Sequence, residues 1–172
     1  MSETRKKTEE AVKTTGLTKS YQGRTVLKGL NLSVKSGTVF GLLGANGAGK
    51  STTIECVLGT KQADGGTALV LGQDAKKERR TVFQKVGVQF QEGDYRPEIK
   101  VSALCEETVC LYERPADWRK LCERFGIGDK TGHAVKSLSG GERQRLFIVL
   151  ALLPTPEIVF LDELTTGQAA RA

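Results

Sequence analysis

The stretch TVFGLLGANGAGKSTTIECVL occupies residues 38–58. Residues 38–43 are nearly all apolar, as expected of a strand buried on both faces of a parallel sheet. A glycine-rich loop, GANGAGKST, follows at residues 44–52, and residues 51–58 are predicted to form the helix after it. The order strand, loop, helix predicts an α/β fold organised around this loop.

The loop matches the pattern GxxxxGK[ST], which is typical of phosphate binding. Its glycines let successive backbone N–H groups curl around a phosphate, and the helix that follows adds the positive end of its dipole. Lys50 is predicted to reach the β- and γ-phosphates of a nucleotide, and the Ser51 hydroxyl is placed to ligate Mg²⁺. A glycine-rich turn with a chance lysine is the alternative, and the flanking elements disfavour it. The predicted nucleotide-binding residues are Gly44, Ala45, Asn46, Gly47, Ala48, Gly49, Lys50, Ser51 and Thr52.

A second motif, IVFLDE, ends a predicted buried strand with two carboxylates, Asp162 and Glu163. Ligands of open α/β sheets bind at the carboxyl ends of the strands. Asp162 can hold Mg²⁺ through water, and Glu163 can act as general base on the attacking water. An acid at the end of a strand is common, so the motif becomes informative only together with the loop.

A third motif, LSGGERQR, occupies residues 138–145. Ser139 and Glu142 have the spacing of a capping box at the start of a helix. The capping box does not account for Gly140 and Gly141, since glycine in the first turn lowers helix stability. Exposed N–H groups at this helix start predict a second anion site.

Together the three motifs resemble the nucleotide-binding domain of an ATP-binding cassette (ABC) protein, over residues 11–167. The resemblance implies an α/β fold with a P-loop NTPase core, an N-terminal antiparallel β-subdomain and a helical insertion near residues 92–138. Residues 1–10 are predicted to be a disordered basic tail, and residues 11–172 to form the domain.

The resemblance also implies roles that the residues alone would not. Tyr21 stands where the family stacks an aromatic ring on adenine, although by itself it would more often be a strand or turn residue. Gln91 matches the glutamine that contacts Mg²⁺ and the attacking water, so the implied catalytic residues are Glu163, Gln91 and Lys50 and the implied metal ligands are Ser51, Gln91 and Asp162. The motif that would contact ATP held by a partner subunit comprises Leu138, Ser139, Gly140, Gly141 and Glu142.

The implied ligands are ATP and Mg²⁺, and the implied partners are a second nucleotide-binding domain and transmembrane permease subunits. In this family two domains pair head to tail around ATP at the cytoplasmic face of the membrane. Residues 92–97 resemble the segment that faces the membrane partner. The longest apolar run, residues 146–153, is far shorter than the roughly 20 residues that span a bilayer, so the spanning helices are expected on other chains.

Three departures from the family pattern stand near the end of the sequence. Gln168 and Ala169 replace the usual leucine and aspartate, and Leu164 replaces proline, as in drug-exporter-like members. The sequence ends before the strand that carries the family's switch histidine. We therefore expect a core that lacks its C-terminal part, truncated after the Asp162-Glu163 motif, and a chain that is unstable alone.

Composition limits the other classes of function. The net charge of +6 comes from scattered basic residues with few aromatics among them, so no nucleic-acid partner is expected. Four cysteines without a CxxC pair, and a single histidine, disfavour a zinc site. The alternative function is a nucleotide-binding module that does not hydrolyse ATP, or an inactive truncated fragment.

Overall fold

The computed structural model of the chain describes residues 9–89 and 95–161. They belong to two compact units, divided between Val82 and Phe83. Within this described part, none of the helices is long and apolar enough to cross a membrane.

The first unit is built on an antiparallel hairpin. Strand β1, Glu10–Tyr21, pairs with β2, Arg24–Lys35. The two connecting residues, Gln22 and Gly23, both have positive φ, which matches the right-handed twist of the strands. A third strand, β3, Gly65–Val70, pairs antiparallel with β1, giving the order β2-β1-β3. The predicted antiparallel β-subdomain is confirmed.

Helix α1, Lys50–Val57, follows the glycine-rich loop and packs on this sheet. Its Cys56 lies in a small core with Leu17 of β1 and Leu27 of β2, and all three are almost fully buried. The helix predicted after the loop is therefore confirmed. Its packing anchors the loop to the hairpin.

The prediction of a buried strand at residues 38–43 is wrong. No strand is present there, and the side chains of Val39 and Leu43 are almost fully exposed. Among the described residues no strand pairs with this segment, so its backbone has no ladder hydrogen bonds and its apolar side chains have no facing layer. An apolar run specifies a buried strand only where neighbouring strands and helices cover it.

Residues 75–85 have a sequence that predicts an exposed helix, but the helix is shorter in the structure. Helix α2 spans only Arg79–Phe83. A carboxylate oxygen of Asp74 accepts a hydrogen bond from the Lys76 N–H at 2.9 Å, which stabilises a turn before the helix begins.

The second unit contains a two-stranded parallel sheet and a helical core. Strand β4, Val86–Gln89, pairs with β5, Ile158–Leu161. At Gly87 the sheet approaches a helix so closely that a Cβ there would clash with the Ala151 carbonyl oxygen. The helix is α5, Gly140–Leu152, and the sequence predicts it at residues 140–153, ended by Pro154.

The described part of this unit also contains two further helices and two short 3-10 helices. Helix α3 spans Val101–Val109 and α4 spans Trp118–Arg124, with 3-10 helices at Gly128–Lys130 and Val135–Ser137. The predicted helical insertion is confirmed. The residues buried in its core are Val101, Cys105, Trp118, Cys122, Ile127, Val135, Leu138, Leu146, Val149 and Leu153.

The start of α4 also differs from the sequence-based expectation. Pro115 predicts a helix start, because proline is tolerated at the first helical position, whereas α4 begins at Trp118. The carboxylate of Asp117 accepts hydrogen bonds from the N–H groups of Arg119, at 3.0 Å, and Lys120, at 3.4 Å. This N-cap satisfies first-turn donors and so sets the helix start.

Helix α5 begins with the predicted capping box. The Ser139 hydroxyl accepts from the Glu142 N–H at 3.3 Å, and the Glu142 carboxylate accepts from the Ser139 N–H at 2.8 Å. These hydrogen bonds to Ser139, and less strongly the nearby Lys130 ammonium, hold the pKa of Glu142 below its ordinary value of 4.5.

Replacing Ser139 with alanine is expected to lower the free energy of unfolding of the helical unit by about 1 kcal/mol, because the cap is lost. Trp118 is the single tryptophan and lies in the core of this unit, so its fluorescence during urea unfolding gives the measurement. Ser102→Ala is the matched control, since no hydrogen bond of its hydroxyl occurs in the described part of the chain. Equal urea midpoints for the two variants would contradict the capping role.

The capping carboxylate also predicts a pH dependence. A depressed pKa in the folded state means that ionised Glu142 stabilises the fold above the unfolded pKa, and that this contribution is lost as pH falls through the folded pKa. Glu142→Gln should therefore lower the urea midpoint at pH 7, and its difference from wild type should shrink steadily below pH 4.5. A pH-independent difference would show that the charge has no part in the cap.

Candidate functional site

The glycine-rich loop is a compact turn that leads directly into α1. The Ala48 N–H donates to the Ala45 carbonyl at 3.1 Å, which closes the turn. Gly47 and Gly49 both have positive φ, 79° and 91°. The loop thus has the alternating backbone geometry that turns N–H groups toward one side, as an anion requires.

Gly49 occupies the N-cap position of α1 against strand β2. A Cβ there would lie 3.0 Å from side-chain carbons of both Val26 and Leu27, and the left-handed backbone would strain any other L-residue. No side chain caps α1, and its first turn holds no acidic residue. The first-turn N–H groups and the positive dipole end are therefore left for an external anion.

The polar side chains at the start of α1 differ in the hydrogen bonds that they make. The Lys50 ammonium donates to the carbonyl oxygens of Gly44 and Ala45, at 2.8 and 3.0 Å, and so lies over the loop. The Thr53 hydroxyl donates to the Gly49 carbonyl at 2.7 Å inside the helix. Among the described residues the Ser51 hydroxyl has no hydrogen-bond partner, which fits its predicted role as a metal ligand.

A cleft of about 470 Å³ opens beside the loop. One wall is strand β2 around Leu27, and the other is formed by Ala48, Gly49 and Lys50. The cleft places the loop at an accessible surface of the first unit.

Tyr21 lies at the end of β1, next to the hairpin turn, and its partner across the hairpin is Arg24. Its side chain is 39% exposed. Two ammonium groups lie over its ring, Lys19 at 5.3 Å and Lys61 at 5.8 Å from the ring centre. Val26, which lies against Gly49, is on β2 two residues after Arg24. The hairpin of β1 and β2 therefore carries Tyr21 and also contacts the loop.

Sequence reasoning missed the two lysines and their partners. Lys19 pairs with Asp64 at 2.8 Å, and Lys61 pairs with Glu55 of α1 at 2.8 Å. These hydrogen bonds raise the pKa of each lysine and lower that of Asp64. The two-residue spacing of Lys19 and Tyr21 along one strand was a usable signal. Nothing local indicates Lys61, which comes from the loop after α1.

The LSGGERQR motif starts helix α5 in the second unit. Leu138 is buried in the helical core, while Ser139 and Glu142 form the capping box. A Cβ added at Gly140 or Gly141 would meet nothing within 4 Å among the described residues. Packing within the described chain therefore does not require glycine at either position.

Three predicted residues, Gln91, Asp162 and Glu163, lie outside the described residues. The strands that precede them in sequence are described, and they are adjacent. Gln89 at the end of β4 pairs in parallel with Leu161 at the end of β5.

The chain is similar in sequence to several ATP-binding proteins. It is 39% identical over 170 residues to the daunorubicin/doxorubicin resistance ATP-binding protein DrrA of Streptomyces peucetius, covering 94% of this chain and 51% of DrrA. It is 33% identical over 168 residues to the Nod factor export ATP-binding protein I of Azorhizobium caulinodans, covering 94% and 52%. The chain thus spans about half the length of the curated relatives it matches.

Solved structures share the fold. An ATP-binding subunit of an ABC transporter superimposes with a TM-score of 0.80 at 22% identity, over 90% of this chain and 66% of that one. The protein cbiO1 from Clostridium perfringens, part of the ABC transporter complex cbiONQ, gives 0.72 at 25% identity, over 90% and 66%. Residues 27–166 match the sequence family described as ABC transporter. Because this match extends over well more than half of the chain, the protein belongs to the ABC transporter family.

Proposed function

We propose that this chain binds and hydrolyses ATP as part of an ABC transporter whose membrane-spanning subunits are separate chains. The observation that carries the proposal is the loop at residues 44–52. Its positive-φ glycines, its uncapped helix start and its lysine form a site for the phosphates of a nucleotide. The names of the relatives, which include drug-resistance and export ATP-binding proteins, support a role in export.

The donor set of the loop also fits Mg²⁺. The Ser51 hydroxyl has no hydrogen-bond partner among the described residues and can serve as an oxygen ligand. A Cβ at Gly44 would come within 3.2 Å of the Ala48 methyl group, so the loop is closely fitted to small residues. We propose that Ser51, Gln91 and Asp162 hold the ion. When bound, Mg²⁺ offsets the negative charge of the β- and γ-phosphate oxygens.

Hydrolysis would follow from general-base catalysis. Glu163 accepts a proton from water as the water oxygen bonds to the γ-phosphorus, and the bond from that phosphorus to the bridging oxygen breaks to give ADP and phosphate. Gln91 orients the water. Lys50, on leaving the carbonyls of Gly44 and Ala45, would stabilise the charge on the β- and γ-phosphates.

A second copy, or a related domain, would complete the site. Ser139, Gly140 and Gly141 lie at the exposed start of α5, and the two glycines leave the helix start unobstructed. We propose that this surface contacts the γ-phosphate of ATP bound to the loop of the partner, with Leu138 and Glu142 holding it in shape. ATP would then join two domains, and hydrolysis would release them.

Attachment to membrane subunits follows from the same family role. We propose that permease subunits bind this chain at the cytoplasmic face of the membrane. We also propose that residues 11–172 form the nucleotide-binding domain, with its helical part near residues 92–138. The tail predicted at residues 1–10 is at least one residue too long, because Glu10 already belongs to β1 and pairs with Lys35. Residues 1–8 lie outside the described residues.

Lys50→Met is expected to weaken ATP binding at least about tenfold, since charge-assisted contacts to phosphate are among the stronger hydrogen bonds. Isothermal titration calorimetry with Mg-ATP measures the change. Lys77→Met removes the same charge from an exposed position in the same unit and serves as the control. Equal affinities for these two variants would exclude the loop as the phosphate site.

Glu163→Gln is expected to retain ATP binding while phosphate release falls to background, because the amide cannot accept the proton of the attacking water. Calorimetry measures ATP binding, and a colorimetric phosphate assay measures hydrolysis. If wild type binds ATP and releases phosphate no faster than this variant, the chain is a nucleotide-binding module without turnover. That alternative is favoured by Ala169, which stands where the family usually has aspartate.

Gly141→Arg should abolish ATP-dependent dimers, since the new side chain occupies the surface proposed to receive the partner's ATP. Light scattering after size exclusion, in a Glu163→Gln background that retains ATP, measures the dimer. Gly132→Arg is the control for the added arginine, because among the described residues a Cβ there also meets nothing within 4 Å. Dimers that persist in the Gly141 variant, with ATP still bound, would exclude this surface.

A further inference from the structure

Tyr21 is contacted by two lysines, and each lysine is itself held by a carboxylate. The Lys19 ammonium lies 5.3 Å from the ring centre and pairs with Asp64, which also accepts from the Ser20 N–H at 2.6 Å. The Lys61 ammonium lies 5.8 Å from the ring centre and pairs with Glu55. Cations over an aromatic face are attracted by its quadrupole, so both lysines restrain the ring.

The two ion pairs originate in different elements. Asp64 precedes β3 and joins the sheet to the ring through Lys19. Glu55 belongs to α1, the helix that begins at the phosphate-binding loop. The Glu55–Lys61 pair therefore links the loop's own helix to the aromatic ring at the end of β1.

We propose that Lys61, held by Glu55, is a positioning residue that orients the Tyr21 ring for stacking on the base of a bound nucleotide. Lys19, held by Asp64, restrains the same ring from its own strand. The inference rests on the proposed function, in which Tyr21 stacks on adenine. It adds that base affinity depends on a charged pair joining the ring to the phosphate-binding helix.

The expected effect is modest. The side chains of Lys61 and Glu55 are 47% and 25% exposed, so solvent screens their attraction. Restraining a side chain before binding lowers the entropic cost of ordering it in the complex. Loss of one restraint should therefore weaken base-dependent binding about two- to fivefold. Binding through the phosphates alone should be unaffected.

The test compares ATP with tripolyphosphate, which carries the phosphates without a base. With the full 172-residue chain and calorimetry in Mg²⁺, Lys61→Met and Glu55→Gln should each weaken ATP binding about two- to fivefold and leave tripolyphosphate binding unchanged. Lys61→Arg should bind ATP like wild type, since guanidinium retains both the ion pair and the contact with the ring. Lys77→Met again controls for the lost charge.

A double variant shows whether Lys61 changes ATP affinity through the Tyr21 ring. In a Tyr21→Ala background, Lys61→Met should cause no further loss of ATP affinity, because Lys61 acts through the ring. Circular dichroism of each variant confirms that the fold is retained, and Glu55→Gln provides an independent reading if Lys61→Met unfolds.

Several results would overturn the inference. One is wild-type ATP affinity in both Lys61→Met and Glu55→Gln. Another is tighter ATP binding in Lys61→Met, which would mean that the ammonium obstructs the ring. A third is a loss of ATP affinity on Lys61→Met that is as large in the Tyr21→Ala background as in wild type. A different result would contradict the proposed function itself. In that case the wild-type chain binds neither ATP nor tripolyphosphate, and the inference about Lys61 fails as well.

Discussion

The close approach of Gly49 to strand β2 is the contact on which the candidate site depends. It places the glycine-rich loop against Val26 and Leu27. Glycine fits there because its backbone is left-handed and because a Cβ would lie only 3.0 Å from side-chain carbons of both residues. The helix that starts there packs its Cys56 on the same hairpin. Loop geometry, helix direction and hairpin are thus coupled, and Tyr21 belongs to the same assembly because it lies on the adjoining strand.

The two helices that begin at glycine-rich motifs differ in the capping of their first-turn N–H groups. Helix α1 starts at Gly49 without a side-chain cap, so its first N–H groups have no internal acceptor from a side chain. Helix α5 starts at Ser139 with a complete capping box, which satisfies two backbone donors. An uncapped start favours an anion bound in the loop itself. A capped start with open glycines favours a stable surface presented to another molecule.

Much of the architecture could be predicted from local signals. The capping spacing of Ser139 and Glu142 and the glycine pattern of the loop both correspond to features of the structure. Each of these signals depends on residues that are close in sequence. The buried strand expected at residues 38–43 was wrong because its burial depends on covering elements, and composition says nothing about whether such cover is present.

The sequence by itself determined the glycine-rich loop, the helix after it and the family, since backbone freedom at glycine, a lysine and a helix start are local properties that a motif encodes. Only the tertiary structure revealed that Gly49 is held by β2, and that Lys61 and Glu55 connect Tyr21 to helix α1. Tyr21 and Lys61 lie forty residues apart in the sequence. Their contact arises because α1 packs on the sheet that contains β1, and packing between distant segments is a property of the folded chain.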